Sequence, residues 1–342
     1  MALSKGNSDG SGRRICYVND FETSYLADAQ QFLETIVHPA IHSNNEQRQA
    51  SICVVGRSMG GAIATRLCQT CPHLLDRCVA MVPMYSHKNV FDVAGLLDLE
   101  LPIGVARAFA NAMTGIGLGK AKADGRDTDA SVPTAELLSH SEERMGAWNE
   151  MRKSNPSLVL AGASFGWVQA AFRFEQTVMT NAHTIQTPML LFQAENDSFV
   201  YNSAHDEFLA RANAHHEKHK ELVRLVGPVK DSNHEILMEI HEIRHPIIRV
   251  ISEFAALGSN VDPPFPDSIQ SSLEAIPVVQ KGVEEEDCRW PSGHHSGVRP
   301  PSLPMPLILR GSAKARKGLD ALIKGVFFAL VVQYGLSTFR KR

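Results

Sequence analysis

The sequence predicts an α/β protein: a mostly parallel sheet with an inserted helical cap. Three observations carry this. Short apolar runs rich in β-branched residues recur with helical patterns between several of them. A glycine-flanked serine stands where one run gives way to a helix. The alternation then stops between Tyr85 and about Thr187, where helical patterns surround a Gly/Asp-rich loop.

The elements follow in order. From Asp20, a good N-cap, "FETSYLADAQQFLETIV" places Tyr25, Leu26, Ala29, Phe32, Leu33, Ile36 and Val37 at helical spacing, so one apolar face is expected against the sheet. "ICVVG" reads as a short strand ended by glycine, and "CVAMVPM" (78–84), "MLLFQ" (189–193) and "LVRLVG" (222–227) repeat that type. In such a sheet the loops after the strand C-termini carry the chemistry. "GLLDLELPIGVARAFANAM" and "SEERMGAWNEM" read as cap helices.

These patterns divide the chain into a first core part (1–84) with the serine turn, a helical cap (85–187) and a second core part (188–257). A Pro/Ser/Gly-rich linker (258–312) follows, expected to be disordered because it cannot repay its ordering entropy. The last segment (313–342) is a hydrophobic helix ending in basic residues. A spanning helix needs about 20 largely apolar residues, and Lys324 and Gln333 bracket the apolar run. Membrane association through this segment is therefore an expectation of the weaker, surface or tail-anchor kind.

Composition narrows the function. A chain of 342 residues with 44% apolar content can bury one substantial core or two small ones, and a formal net charge of −3 gives no field that argues for nucleic acid. The N-terminus lacks the apolar stretch of a signal peptide, so a cytoplasmic, reducing setting is expected. The six cysteines show no framework spacing, and the "CQTC" pair falls late in a helix, where a thiolate is not favoured; both are read as buried thiols.

The chemistry centres on Ser58. Gly56-x-Ser58-x-Gly60 after a strand and before a helix is the context of a nucleophile elbow, a turn sharp enough to strain the serine backbone and to require small neighbours at Gly56 and Gly60. The helix start offers the Met59 N–H to an oxyanion. A serine hydroxyl needs a base, and the base needs a third group to orient it. After "MLLFQ" come Glu195 and Asp197, of which Asp197 is the better placed; after "LVRLVG" comes His234 on a polar loop. No cofactor and no metal are expected. "HEIRH" (241–245) matches a zinc-protease pattern, but Pro246 should keep the two imidazoles off one continuous helical face. "HHEKH" (215–219) reads as a polar helix face.

With these motifs in place, the chain resembles the α/β-hydrolase family, in its monoacylglycerol lipase and bacterial lysophospholipase branch with serine-aminopeptidase-type sequences. The resemblance spans roughly residues 5 to 256. It rests on "YVNDFETSYLADAQQFL", "GRSMGGAIA", "LLSHSEERMGAWNEMRKSNPSL" with "GASFGWVQAAF", "TPMLLFQAENDSFVYN" and "SNHEILME". It implies Ser58 as nucleophile, Asp197 as acid and His234 as base, with Glu195 still in play because related lysophospholipases look richer in glutamate there. The implied activity is hydrolysis of an acyl ester in a small lipid, a lysophospholipid or monoacylglycerol, with the cap lining an acyl channel. The family's sheet has eight strands and a His-Gly oxyanion loop, and no His-Gly pair precedes Ser58. The first strands are therefore expected to be missing, leaving "ICVVG" at an open edge and Met59 N–H as the one oxyanion donor. Loss of a donor costs about 10²–10³ in turnover. A catalytically impaired form that binds a lipid or partner is the alternative implied by that departure.

Overall fold

The computed structural model describes residues 14–42, 51–88, 90–93, 97–123, 135–155, 159–214, 221–257, 261 and 264–279. The expected helix at 313–342, most of the expected linker and the "HHEKH" segment lie outside these residues. In chain order the elements are β1 (Arg14–Cys16), α1 (Ala27–Phe32), α2 (His38–His42), β2 (Cys53–Arg57), α3 (Met59–Thr70) and β3 (Arg77–Met81). The inserted region holds β4 (Val90–Val93), β5 (Leu97–Glu100), α4 (Ile103–Met113), α5 (Ala135–Leu138), α6 (Glu142–Ser154), β6 (Leu160–Ala163) and α7 (Phe165–Thr180). The chain returns with β7 (Met189–Asn196), α8 (Asn202–Ala212), β8 (Val223–Asn233), α9 (His241–Ala256) and α10 (Asp267–Glu274).

Four strands form the central sheet in the order β2-β3-β7-β8, every pair parallel. All of β3 and the first six residues of β7 are buried, as continuous apolar strands covered on both faces must be. Helix α3 packs on β2 and β3, while α9 packs on β3 and β8 and against α10. Among the described residues β2 has one sheet neighbour, and Val55 on it is 46% exposed. This is an α/β-hydrolase arrangement: a mostly parallel sheet with a helical insertion between β3 and β7.

Four expectations are corrected. The helical stretch from 22 to 42 begins as predicted, with Asp20 Oδ1 accepting the Thr23 N–H at 2.9 Å. However, Glu22–Leu26 and Leu33–Val37 are wound as π-helix. The wider turns shift the phase, so Leu26 and Leu33 are buried whereas Phe32 (57%) and Ile36 (56%) face outward. Second, the insertion is not purely helical: β4 and β5 form an antiparallel hairpin, β6 pairs with β1, and α4 starts after Pro102 rather than within "GLLDLEL". Third, α7 belongs to the core as much as to the cap, since Phe174, Val178 and Met179 join the same buried cluster as the residues of β3 and β7.

The fourth concerns the expected linker. Residues 264–279 form part of the body: Phe265, Ile269 and Ile276 are buried in the same core, and Val278 bridges to Val229 of β8. The buried Arg77 guanidinium reaches the carbonyls of Leu257 and Pro264 at 3.3 Å and lies over the Phe254 ring. A composition rich in proline concealed three well-spaced apolar anchors.

Candidate active site

The turn from β2 into α3 places Ser58 at φ 52°, ψ −121°, a conformation that costs an L-residue about 1–3 kcal/mol. Three backbone hydrogen bonds hold it there. The Ser58 N–H donates to Met81 O (2.9 Å), and its carbonyl accepts the N–H groups of Ala62 (3.1 Å) and Met84 (3.0 Å). The expected need for small neighbours is met unequally. A Cβ on Gly56 would fall 2.2 Å from Gly60 O and 2.9 Å from Ala64 Cβ, whereas one on Gly60 would meet nothing within 4 Å. The crowding runs from β2 onto the helix backbone, so Gly56 is obligatory and Gly60 is not. The following Gly61 is tight instead, 3.0 Å from Pro83 Cβ. Met59 is the first residue of α3, and its N–H is among the donors a helix leaves open at its start.

Asp197 and His234 follow β7 and β8, neighbouring strands, and the structure brings them together. His234 Nδ1 lies 2.8 Å from Asp197 Oδ2 and 3.0 Å from Oδ1, both residues being buried. Asp197 Oδ1 also accepts the backbone N–H groups of Phe199 (2.8 Å) and Val200 (2.9 Å). Burial pushes the Asp197 carboxyl up, yet the hydrogen bond and charge of His234 and these two N–H groups outweigh it and hold the acid below the ordinary carboxylate range. The contact with the carboxylate fixes the ring's orientation through Nδ1. The Phe199 ring packs 4.9 Å from the imidazole. Glu195 is directed elsewhere: its Oε2 accepts the Asp231 N–H at 2.7 Å.

The elbow and the histidine loop are joined by a contact the sequence reading missed. The guanidinium of Arg57, one residue before Ser58, pairs with the carboxylate of Glu235, one residue after His234. Two further residues support the surroundings. Lys88 Nζ donates to Asp197 O at 2.8 Å. The buried His205 Nε2–H donates to Pro83 O at 2.7 Å, and burial pushes that imidazole down, toward its neutral form. None of these has a sequence signal beyond standing beside a motif.

The zinc-type motif requires a correction. α9 runs without interruption from His241 through Pro246, and the His241 and His245 rings stack 4.8 Å apart on its exposed side. Pro246 is the sixth helical residue, so its missing N–H forfeits a single bond to the carbonyl of Glu242 in the exposed first turn. Among the described residues no group of three or more His, Cys, Asp or Glu side chains could hold a metal ion. No helix among them is long and apolar enough to cross a membrane.

Lysophospholipase L2 of Escherichia coli (strain K12) is 28% identical over 243 residues, covering 70% of this chain and 65% of that protein. The chain thus spans less than two thirds of that relative's length. A probable lysophospholipase L2 of Haemophilus influenzae is 24% identical over 238 residues, covering 69% of this chain and 67% of its own. Among solved structures, a soluble variant of monoglyceride lipase from Saccharomyces cerevisiae aligns at TM-score 0.47 and 14% identity, over 70% of this chain and 71% of that one. The monoacylglycerol lipase of Paleococcus ferrophilus aligns at TM-score 0.46 and 18% identity, over 67% and 74%. The family model described as serine aminopeptidase, S33, matches residues 5–240, and the chain belongs to that family of hydrolases.

Proposed function

We propose that this chain is a serine hydrolase of carboxylic esters, with Ser58 as nucleophile, His234 as base and Asp197 as the acid that orients it. The observation that carries the reading is the conjunction of a strained Ser58 at the strand-to-helix turn with a buried Asp197–His234 pair in which Nδ1 is the nitrogen that faces the carboxylate. His234 Nε2 takes the Ser58 hydroxyl proton as Oγ adds to the ester carbonyl, and the oxyanion that forms is received by the Met59 N–H. The tetrahedral species collapses, the imidazolium gives its proton to the departing alcohol, and an acyl-Ser58 ester remains. Water then donates a proton to His234 while its oxygen attacks the acyl carbon, releasing a fatty acid and regenerating Ser58.

The substrate class follows from the cap and from the relatives. A monoacyl lipid with a small polar head, a lysophospholipid or a monoacylglycerol, suits an insertion that carries the apolar helix α4, and the Escherichia coli relative is a lysophospholipase. The test is fatty-acid release from lysophosphatidylcholine, monooleoylglycerol and a short-chain p-nitrophenyl ester by wild type and Ser58→Ala. Wild type is expected to release acid from at least one monoacyl lipid and the variant from none. Folded wild type that releases none from the whole panel contradicts the reading and favours a binding role.

A further inference from the structure

Glu239 lies outside the catalytic set and carries a fully buried carboxylate. An ionised carboxylate out of water is costly unless hydrogen bonds replace its hydration, so where these bonds go defines what it does. Oε1 accepts the Asn233 N–H at 2.8 Å, closing the turn that runs from Asn233 through His234 and Glu235 back to Glu239. Oε2 accepts the His140 N–H of the inserted region at 3.0 Å, and His140 Nδ1 lies 3.2 Å from both oxygens.

The two segments are tied at several further points around this carboxylate. Ser139 Oγ donates to Met238 O (2.7 Å), the Glu235 N–H donates to Leu138 O (2.8 Å), and Arg144 donates to Glu239 O (2.8 Å). Oε1 therefore holds the loop that presents the imidazole, while Oε2 receives the His140 N–H of the cap segment 138–145 together with the Ile240 N–H (3.3 Å). A change in the seating of either reaches the other through this carboxylate and the bonds around it.

We propose that Glu239 is a positioning residue that locks the cap segment 138–145 to the His234 loop, so that cap seating and imidazole placement form one coupled state. The proposal rests on His234 being the base, and its test separates the two. Amide hydrogen exchange is measured on wild type and Glu239→Gln, which keeps the shape but removes the charge and one acceptor. Exchange across 138–145 and 233–240 is expected to rise together by about tenfold or more, as loss of a charge-assisted hydrogen bond implies, with α3 and α7 unchanged. Loosening of one segment alone, or of neither, overturns the coupling, whether or not Ser58 reacts.

In the same proteins the reaction of Ser58 with a fluorophosphonate is resolved into its saturation and chemical steps. The maximal rate is expected to fall about tenfold or more while the half-saturating concentration changes less than twofold. Loosened segments with an unchanged maximal rate overturn the positioning role. Failure of wild type to react condemns the Ser58 assignment and leaves the exchange result to decide the tie. Should Glu239→Gln not fold, the double variant Ser139→Ala, His140→Ala weakens the tie from the cap side by removing the Ser139 hydroxyl and the His140 ring, while the His140 N–H stays. It is expected to raise exchange in both segments; loosening confined to 138–145 overturns the coupling.

Discussion

Arg57 pairs with Glu235, so the residue before the candidate nucleophile is bound to the residue after the candidate base. Arg57 is 43% exposed, and pairs of that exposure contribute about 0–1 kcal/mol to stability. The consequence expected is therefore geometric. Arg57→Ala and Glu235→Ala should each slow ester turnover several-fold with little change in Tm. The reversed pair Arg57→Glu, Glu235→Arg should recover part of the loss. Additive losses in the cycle of Arg57→Ala, Glu235→Ala and the double alanine variant would show that the pair does not hold the two loops in register.

Gly56 and Gly60 should part company under substitution. Gly56→Ala drives a methyl into Gly60 O and Ala64, and a loss of several kcal/mol or failure to fold is expected. Gly60→Ala meets open space in a helix, and should be neutral or stabilising by up to about 1 kcal/mol. Thermal melts of the two variants check this; equal damage at both positions would refute the one-sided crowding.

Asp197 makes a signed prediction in pH. Its folded pKa is depressed, so its contribution is fully present above the unfolded value near pH 4 and is lost as pH falls through the lower folded value. Urea unfolding of wild type and Asp197→Asn between pH 7 and pH 2.5 should give a stability difference that is constant above about pH 5 and shrinks steadily below pH 4. The same variant should lose turnover by about 10³–10⁴, as a triad does when its imidazole loses orientation. Glu195→Gln, which removes no contact to His234, should stay within a few-fold of wild type.

The thiols should be silent in the native state. Cys68, Cys71 and Cys78 are buried, and burial above all pushes Cys53 up to about 11. A maleimide at pH 7.5 is expected to leave these four unmodified until the chain is unfolded. Rapid native modification of Cys68 or Cys71 would revive a redox role for "CQTC".

What the sequence made legible was local chemistry with a rigid backbone requirement. Ser58 and its strand-to-helix turn, and the placement of Asp197 and His234 after neighbouring strands, follow from the alternation that builds a parallel sheet. Phase was harder to read. Two π turns rotated Phe32 and Ile36 outward although their spacing is helical. Pro246 was tolerated because it falls close enough to the helix start to forfeit little, and residues 264–279 joined the core through isolated anchors that averaged composition hides. Arg57–Glu235 and the Glu239 tie were beyond reach, because each joins residues roughly 95 or more apart in sequence that only the folded chain brings together.

The most direct measurement is mapping a fluorophosphonate adduct by peptide mass spectrometry on folded protein. A single adduct on Ser58 is predicted, absent in Ser58→Ala and formed far more slowly in His234→Ala. Folded wild type that takes up no probe, or an adduct that persists when Ser58 is alanine, would contradict the account.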